Sequence, residues 1–180
     1  MKVICISGKA GSGKSTCAEA MREHLERTTD LRVLLCNYAD VLKYVLKIYF
    51  NWNGEKDEAG RKLLQEKGTD EMRAYDKNFW VKFLVGILSA YHESWDVVIV
   101  ADCRFKNEID LLKSAGFSVT TVRIERPNFD NGLAREQKIH ESETGLDDYT
   151  FDEVIVNDFS DSHTFCLACQ RKIDHILETE

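Results

Sequence analysis

The sequence predicts a three-layer α/β fold built on a parallel sheet, and three observations carry that prediction. Apolar strand-like runs alternate with amphipathic helical segments from one end of the chain to the other, the pattern of a doubly wound sheet. Val97-Val98-Ile99-Val100-Ala101 is β-branched in four consecutive places with no polar alternation, as expected of a strand covered on both faces. Between the first such run, Val3 to Ser7, and the first helical segment lies Gly8-Lys9-Ala10-Gly11-Ser12-Gly13-Lys14-Ser15, followed by Thr16. That string fits G-x-x-x-x-G-K-[ST], the phosphate-binding P-loop, in the strand–loop–helix setting its chemistry requires.

The chemistry of the loop follows from its residues. Glycines let the backbone approach a polyphosphate without side chains between them. The N–H groups and the positive end of the helix dipole then face phosphate oxygens. Gly8, Ala10, Gly11, Ser12, Gly13, Lys14, Ser15 and Thr16 are therefore the expected nucleotide-binding residues. Lys14 is placed to reach the β- and γ-phosphates of ATP, and the Ser15 hydroxyl to sit on Mg²⁺.

The remaining elements follow in order. Cys17 to Arg27 reads as a helix with Ala18, Met21 and Leu25 on one face. Leu31 to Cys36 is a second strand, and Val41 to Phe50 a helix burying Leu42, Val45, Leu46 and Tyr49. Asn51 to Gly60 is polar. Arg61 to Arg73 predicts one or two short helices interrupted at Gly68, and Phe79 to Tyr91 a largely buried helix that includes Trp80 on its apolar face. After the central strand, Asn107 to Ala115 is a helix closed by Gly116, and Ser118 to Ile124 the next strand. Arg126 to Asp148 is polar with little apolar periodicity. Val154 to Val156 is the last strand, and Ser160 or Asp161 caps the terminal helix.

The 180 residues suffice for one domain with its own core. A net charge of −7 disfavours nucleic acid as the main partner and leaves room for a small anionic ligand in a local basic pocket. No run is long and apolar enough to predict a membrane span or a signal peptide. Six cysteines, including the lone Cys166-x-x-Cys169 on an apolar helix face, read as core packing and fit reduced thiols in a cytoplasmic protein, and the five histidines show no metal-ligand spacing. A homodimer is compatible with the sequence.

Ligands of such sheets bind at the carboxyl ends of the strands. Gly8, Asp40, Asp102 and Arg126 all follow strand ends and should converge on one cleft. Asp102 is the natural carboxylate for a magnesium nucleotide, with helix capping as its alternative role. Phosphoryl transfer also needs cations around the transferred group. Arg104 is two residues from Asp102, Arg73 ends the segment after Gly68, and Arg126 and Arg135 lie in the polar stretch, which sits where a lid would close and exclude water. Trp80 or Tyr38 could offer a flat wall to a base, with core packing the competing role for Trp80.

Several strings resemble the phage-type deoxynucleoside monophosphate kinases. They are Tyr38-Ala39-Asp40-Val41-Leu42-Lys43, Leu64-Gln65-Glu66-Lys67-Gly68-Thr69 with Arg73 and Trp80, Asp102 through Glu108, and His140-Glu141-Ser142-Glu143. The animal phosphomevalonate kinases are similar in outline. The resemblance implies a P-loop NTPase fold forming a single kinase domain over 1–180. It implies a helical acceptor-binding insertion at about 38–80 and a lid at about 125–148. It implies transfer of the γ-phosphate of ATP to a nucleoside monophosphate, with Lys14, Arg104, Arg126 and Arg135 around the transferred group. Asp40, Lys43, Arg73, Trp80, Arg104 and Asn107 would face the acceptor, and Ser15 and Asp102 the metal. Val41 stands where many members carry proline, and Cys103 separates the aspartate from the arginine, so the acceptor stays open, with phosphomevalonate and dephospho-coenzyme A as rivals. A regulatory nucleotide-binding module is the other class. It would be expected to carry an N-K-x-D string, which the sequence lacks. His140 reads as a helix cap or a surface residue.

Overall fold

The computed structural model describes residues 1–158 and 161–179. Among them, five strands form one all-parallel sheet in the order β2-β3-β1-β4-β5. These are β1 (Lys2–Gly8), β2 (Val33–Cys36), β3 (Val97–Val100), β4 (Ser118–Glu125) and β5 (Glu153–Val156). β1 lies in the middle, pairing Lys2 to Cys5 with Val97 to Val100 on one side and Lys2 to Gly8 with Ser118 to Ile124 on the other. Its seven residues are all buried, as are the four of β3, which is why these two runs lack alternation in the sequence.

Helices cover both faces. On one side α1 (Lys14–Thr28) and α9 (Ser162–Glu178) pack together over Ile4, Ile6, Ile99, Val122 and Ile124. On the other, α2 (Ala39–Tyr49), α5 (Phe79–Ala90) and α6 (Lys106–Ser114) enclose Val3, Cys5, Val98 and Val100. The thiols divide between these layers. Cys17 and Cys169 lie wholly buried in the first, Cys5 and Cys103 in the second, and all six cysteines are free. Cys169 thus belongs to the core. No described helix is long and apolar enough to cross a membrane.

The elements begin and end close to where the sequence puts them, with instructive exceptions. α1 starts at Lys14, inside the P-loop motif, because the loop residues themselves form the first turn. The interruption expected at Gly68 is a π-helical segment, Glu66–Glu71, continuous with α3 (Glu58–Gln65) and α4 (Met72–Tyr75). The widened turn suits its surroundings: the Gly68 carbonyl accepts the Trp80 indole N–H at 3.0 Å, and a Cβ at Gly68 would lie 2.3 Å from Leu42 Cδ2. The stretch after β4 is less irregular than its composition suggests. It holds α7 (Arg135–Lys138) and α8 (Glu141–Thr144), and buries Leu133, Ser142, Glu143 and Leu146. Asp161 caps α9, accepting the Thr164 N–H at 2.8 Å; Ser160, the alternative cap, lies outside the described residues.

Candidate active site

The P-loop, the carboxyl ends of β2 and β3, and the start of the stretch after β4 surround one cleft of about 720 Å³, within the usual range for a small-molecule site. Ala10, Gly11, Gly13, Lys14, Ser15 and Thr16 line one end. Gly13 sits at φ 105°, a left-handed conformation that favours glycine, and a Cβ there would lie 2.8 Å from Asn157 Nδ2. Asn157 in turn donates to the Ser12 carbonyl at 2.9 Å, so β5's end braces the loop. Lys14 Nζ donates to the carbonyls of Gly8 and Lys9 at 2.7 and 2.8 Å. Burial, then the neighbouring Arg104 charge, lowers its pKa to about 7, although Glu143 and Asp102 oppose the shift. A polyphosphate beside it would favour the charged form.

Lys43, Arg73, Trp80, Asp102, Arg104 and Arg126, expected from the sequence, line the same cleft. Both Asp102 oxygens accept backbone N–H groups, from Tyr38 at 2.8 Å and Ala39 at 3.0 Å. It therefore caps α2, a helix that starts more than sixty residues earlier, rather than the segment that follows it. Burial raises its pKa, and those two N–H groups work against the rise. Arg73 is clamped flat on the Phe105 ring, 3.5 Å from its centroid, with Nη2 donating to Asn107 Oδ1 at 2.8 Å. Its other near partner is Glu108, at 3.6 Å. Glu108 is buried and accepts the N–H groups of Arg104 and Phe105 at 2.8 and 3.0 Å. Burial pushes its carboxyl up to about 7, and the Arg104 N–H only partly offsets this. Trp80 is 7 % exposed and held by Gly68, so it serves the core and the cleft wall at once. Tyr38 is also both buried and part of the wall, its hydroxyl donating to the Glu108 carbonyl at 3.2 Å. Arg126 donates to the Gly11 carbonyl at 3.0 Å and stacks on Phe129, 3.8 Å from the ring centroid, which lays the start of the excursion over the P-loop.

Five expected residues stand outside that lining. Gly8 and Ser12 lie behind the loop: Gly8 offers its carbonyl to Lys14, and Ser12 is buried. Asp40 turns away, accepting from the Asn37 backbone N–H at 2.9 Å and pairing with Lys43 at 2.7 Å, because a carboxylate in a helix's first turn satisfies local donors. Asn107 faces an adjoining pocket with Arg73, where its amide donates to Lys77 and Asn78. Arg135 opens α7 and is exposed.

The cleft also contains residues that sequence reasoning passed over. Lys56 lines it with Arg61 and Gln65 of α3, and Ser142 and Glu143 line it from α8. Glu143 accepts the Ala10 N–H at 2.9 Å and pairs with the Arg104 guanidinium. Burial pushes its carboxyl upward, but Arg104, the Ala10 N–H and Lys14 outweigh burial and hold it below its ordinary value. Lys9, a variable position of the motif, donates to the Glu143 carbonyl at 2.7 Å and pairs with Asp147 at 2.5 Å. The string Glu141-Ser142-Glu143 was the only signal for this cluster. His140 is the cap of α8, accepting the Ser142 N–H at 3.2 Å, and it reaches Asp70 of the π-helical segment at 3.2 Å. Among the described residues, no group of three or more His, Cys, Asp or Glu side chains could hold a metal by itself.

Comparisons with known proteins bear on the fold and the family. Solved structures covering almost the whole chain share its fold at low identity. Thymidylate kinase from Ehrlichia chaffeensis is 16 % identical with a TM-score of 0.52, covering 98 % of each chain. Shikimate kinase from Bacteroides thetaiotaomicron is 15 % identical with a TM-score of 0.52, again over 98 % of each. The APS kinase of Mycobacterium tuberculosis is 12 % identical with a TM-score of 0.51, covering 98 % of this chain and 95 % of that one. The fold is thus that of the P-loop kinases. A protein of Acanthamoeba polyphaga mimivirus, provisionally named a deoxynucleotide monophosphate kinase, is 28 % identical over 87 % of this chain and 89 % of its own. The family model for deoxynucleotide monophosphate kinase matches residues 39–163, which take in α2 through α8 with Asp102 and Arg104. With that match over well more than half its length, and a P-loop in front of it, the chain belongs to the deoxynucleotide monophosphate kinase family of nucleotide kinases.

Proposed function

We propose that this protein transfers the γ-phosphate of ATP to a (deoxy)nucleoside monophosphate, giving the diphosphate. The observation that carries the reading is that one cleft has a P-loop at one end and Arg73, Arg104 and Trp80 beyond it. Gly8 to Thr16 would cradle the triphosphate, and Lys14 would neutralise the transferring group. Arg104 and Arg73 suit the acceptor phosphate, because a planar guanidinium matches its oxygens two at a time. Trp80 offers the base an aromatic wall. Asp40 and Asn107 act on this reading from behind, through Lys43 and Arg73. The stretch at about 125–148 is the proposed lid, anchored by Arg126 on the P-loop, and Arg135 would join the site only on closure.

The donors also suit Mg²⁺. Ser15 and Asp102 both line the cleft and carry hard oxygens, and each Asp102 oxygen, accepting one N–H, retains a lone pair for a bound water. Ser15 would hold the ion directly and Asp102 through water. The ion would neutralise charge on the phosphates.

A regulatory module would bind nucleotide without needing a small acceptor. The cations gathered beyond Asp102 favour the kinase. The test is ATP consumption by the purified protein with each ribo- and deoxynucleoside monophosphate, phosphomevalonate and dephospho-coenzyme A. Acceptor-dependent turnover with a nucleoside monophosphate is the expected result. Turnover with either rival alone, or ATP hydrolysis indifferent to acceptor, would overturn it.

A further inference from the structure

We infer that Glu143 is a positioning residue that fixes the distance between the donor's phosphate loop and the acceptor's arginine. One carboxylate touches both. Its Oε2 accepts the Ala10 N–H of the P-loop at 2.9 Å, and its Oε1 pairs with Arg104 Nη1. The side chain is only 5 % exposed, so little water competes for either bond. The neighbouring carbonyl of Ser142 accepts from the same Nη1 at 2.6 Å.

The division of the guanidinium matters. Both side-chain bonds of Arg104 use Nη1, and among the described residues neither Nη2 nor Nε donates to protein. One end of the group is gripped and the other edge is left for an anion, which is how a fork is aimed without being consumed. Helix α8 is itself secured to the loop. Lys9 donates to the Glu143 carbonyl at 2.7 Å and pairs with Asp147. Arg123 of β4 also reaches Asp147, at 3.2 Å. His140 caps the helix and reaches Asp70 in the acceptor-side insertion. Glu143 therefore stands where donor loop, acceptor arginine and insertion meet. Misplacing a reacting group by about 1 Å can cost on the order of 100-fold in rate, so the carboxylate acts on transfer although it touches neither phosphate.

The inference rests on the proposed phosphoryl transfer, and the experiment separates the two. Two measurements use the full chain as parent, Glu143→Gln, Arg104→Gln and the double variant. The first is NMR of the Arg104 guanidinium in the unliganded protein, which needs no activity. Rotation about its Cζ–N bonds should be slow in the parent and faster in Glu143→Gln, at unchanged backbone shifts away from the site. The second is steady-state kinetics with the best acceptor. Glu143→Gln should lower kcat on the order of 100-fold and raise the acceptor KM, with the dissociation constant of a non-hydrolysable ATP analogue changed less than about threefold. The double variant should be no slower than Arg104→Gln alone. Equal rotation in parent and variant, or losses that multiply in the double variant, would overturn the inference. A parent inactive on every monophosphate would overturn the proposed transfer instead, while the NMR comparison still decides whether Glu143 holds Arg104.

Discussion

Replacing Glu108 by glutamine should reshape how stability depends on pH. Glu108 is 3 % exposed, and burial raises its carboxyl to about 7 against an ordinary 4.5. Between those values the folded protein binds a proton that the unfolded chain releases. Its contribution to stability is therefore fully present below about pH 4.5 and is lost as pH rises through about 7. The gap corresponds to about 3 kcal/mol at most. Glutamine is uncharged at every pH. Its carbonyl oxygen can still accept the Arg104 and Phe105 N–H groups, both of which go to the same Glu108 oxygen. The contact with Arg73, 3.6 Å from the other oxygen, is given up. Urea unfolding of parent and variant at pH 5, 6, 7 and 8 isolates the effect, because titrations of groups not coupled to Glu108 cancel in the difference. At pH 5 the two should agree within about 1 kcal/mol, since a protonated carboxyl resembles an amide. By pH 8 the difference should have moved about 2–3 kcal/mol in the variant's favour. A difference constant across this range would show that Glu108 does not titrate there and that burial does not govern it.

Other substitutions follow from the same geometry. Lys14→Ala should abolish turnover with saturating Mg-ATP and leave the melting temperature nearly unchanged, because its bonds go only to loop carbonyls; near-parental rates would remove the P-loop from the reaction. Asp102→Asn should weaken the magnesium dependence and also destabilise the fold by about 1–3 kcal/mol, since one of its two capping bonds to α2 is lost. Magnesium titrations that superimpose would confine Asp102 to capping. Gly13→Ala should cost about 1–3 kcal/mol from the left-handed backbone, with the clash at Asn157 and Phe165 added, and should weaken nucleotide binding. Calorimetric affinity for an ATP analogue equal to that of the parent would argue against this reading of the loop.

The sheet and the P-loop were legible because their signals are local. Four β-branched residues in a row mark β3, and three glycines after an apolar run mark the turn into α1. The missed and misplaced residues depend on partners far away in sequence. Asp102 caps a helix whose N-cap and first residue are 64 and 63 positions earlier, so the strand end and helix start cannot be linked by spacing. Glu143 sits in a four-residue helix, too short to show a period, and its burial comes from Arg104 and Ala10. Asp40 showed the opposite failure. It follows a strand end, which suggested the cleft, yet a carboxylate at that point has nearer donors in Asn37 and Lys43. The π-helical widening at Gly68 was visible only as a break, because its cause is Leu42 and the Trp80 indole from other elements.

The distribution of thiols gives the protein a built-in reporter of its own breathing. Cys17 and Cys169 lie under one helical layer, and Cys5 and Cys103 under the other, all sealed from solvent. Their surroundings also suppress the reactive thiolate: hydrogen bonding to Cys169 and burial raise the Cys17 thiol, and hydrogen bonding to Cys5 and burial raise that of Cys103. An alkylating reagent can then reach each pair only when its layer lifts from the sheet. Labelling read by mass at each position would rank the two halves of the sandwich by how often they open. It would also reveal whether a nucleotide bound at the P-loop clamps both sides of the sheet or one.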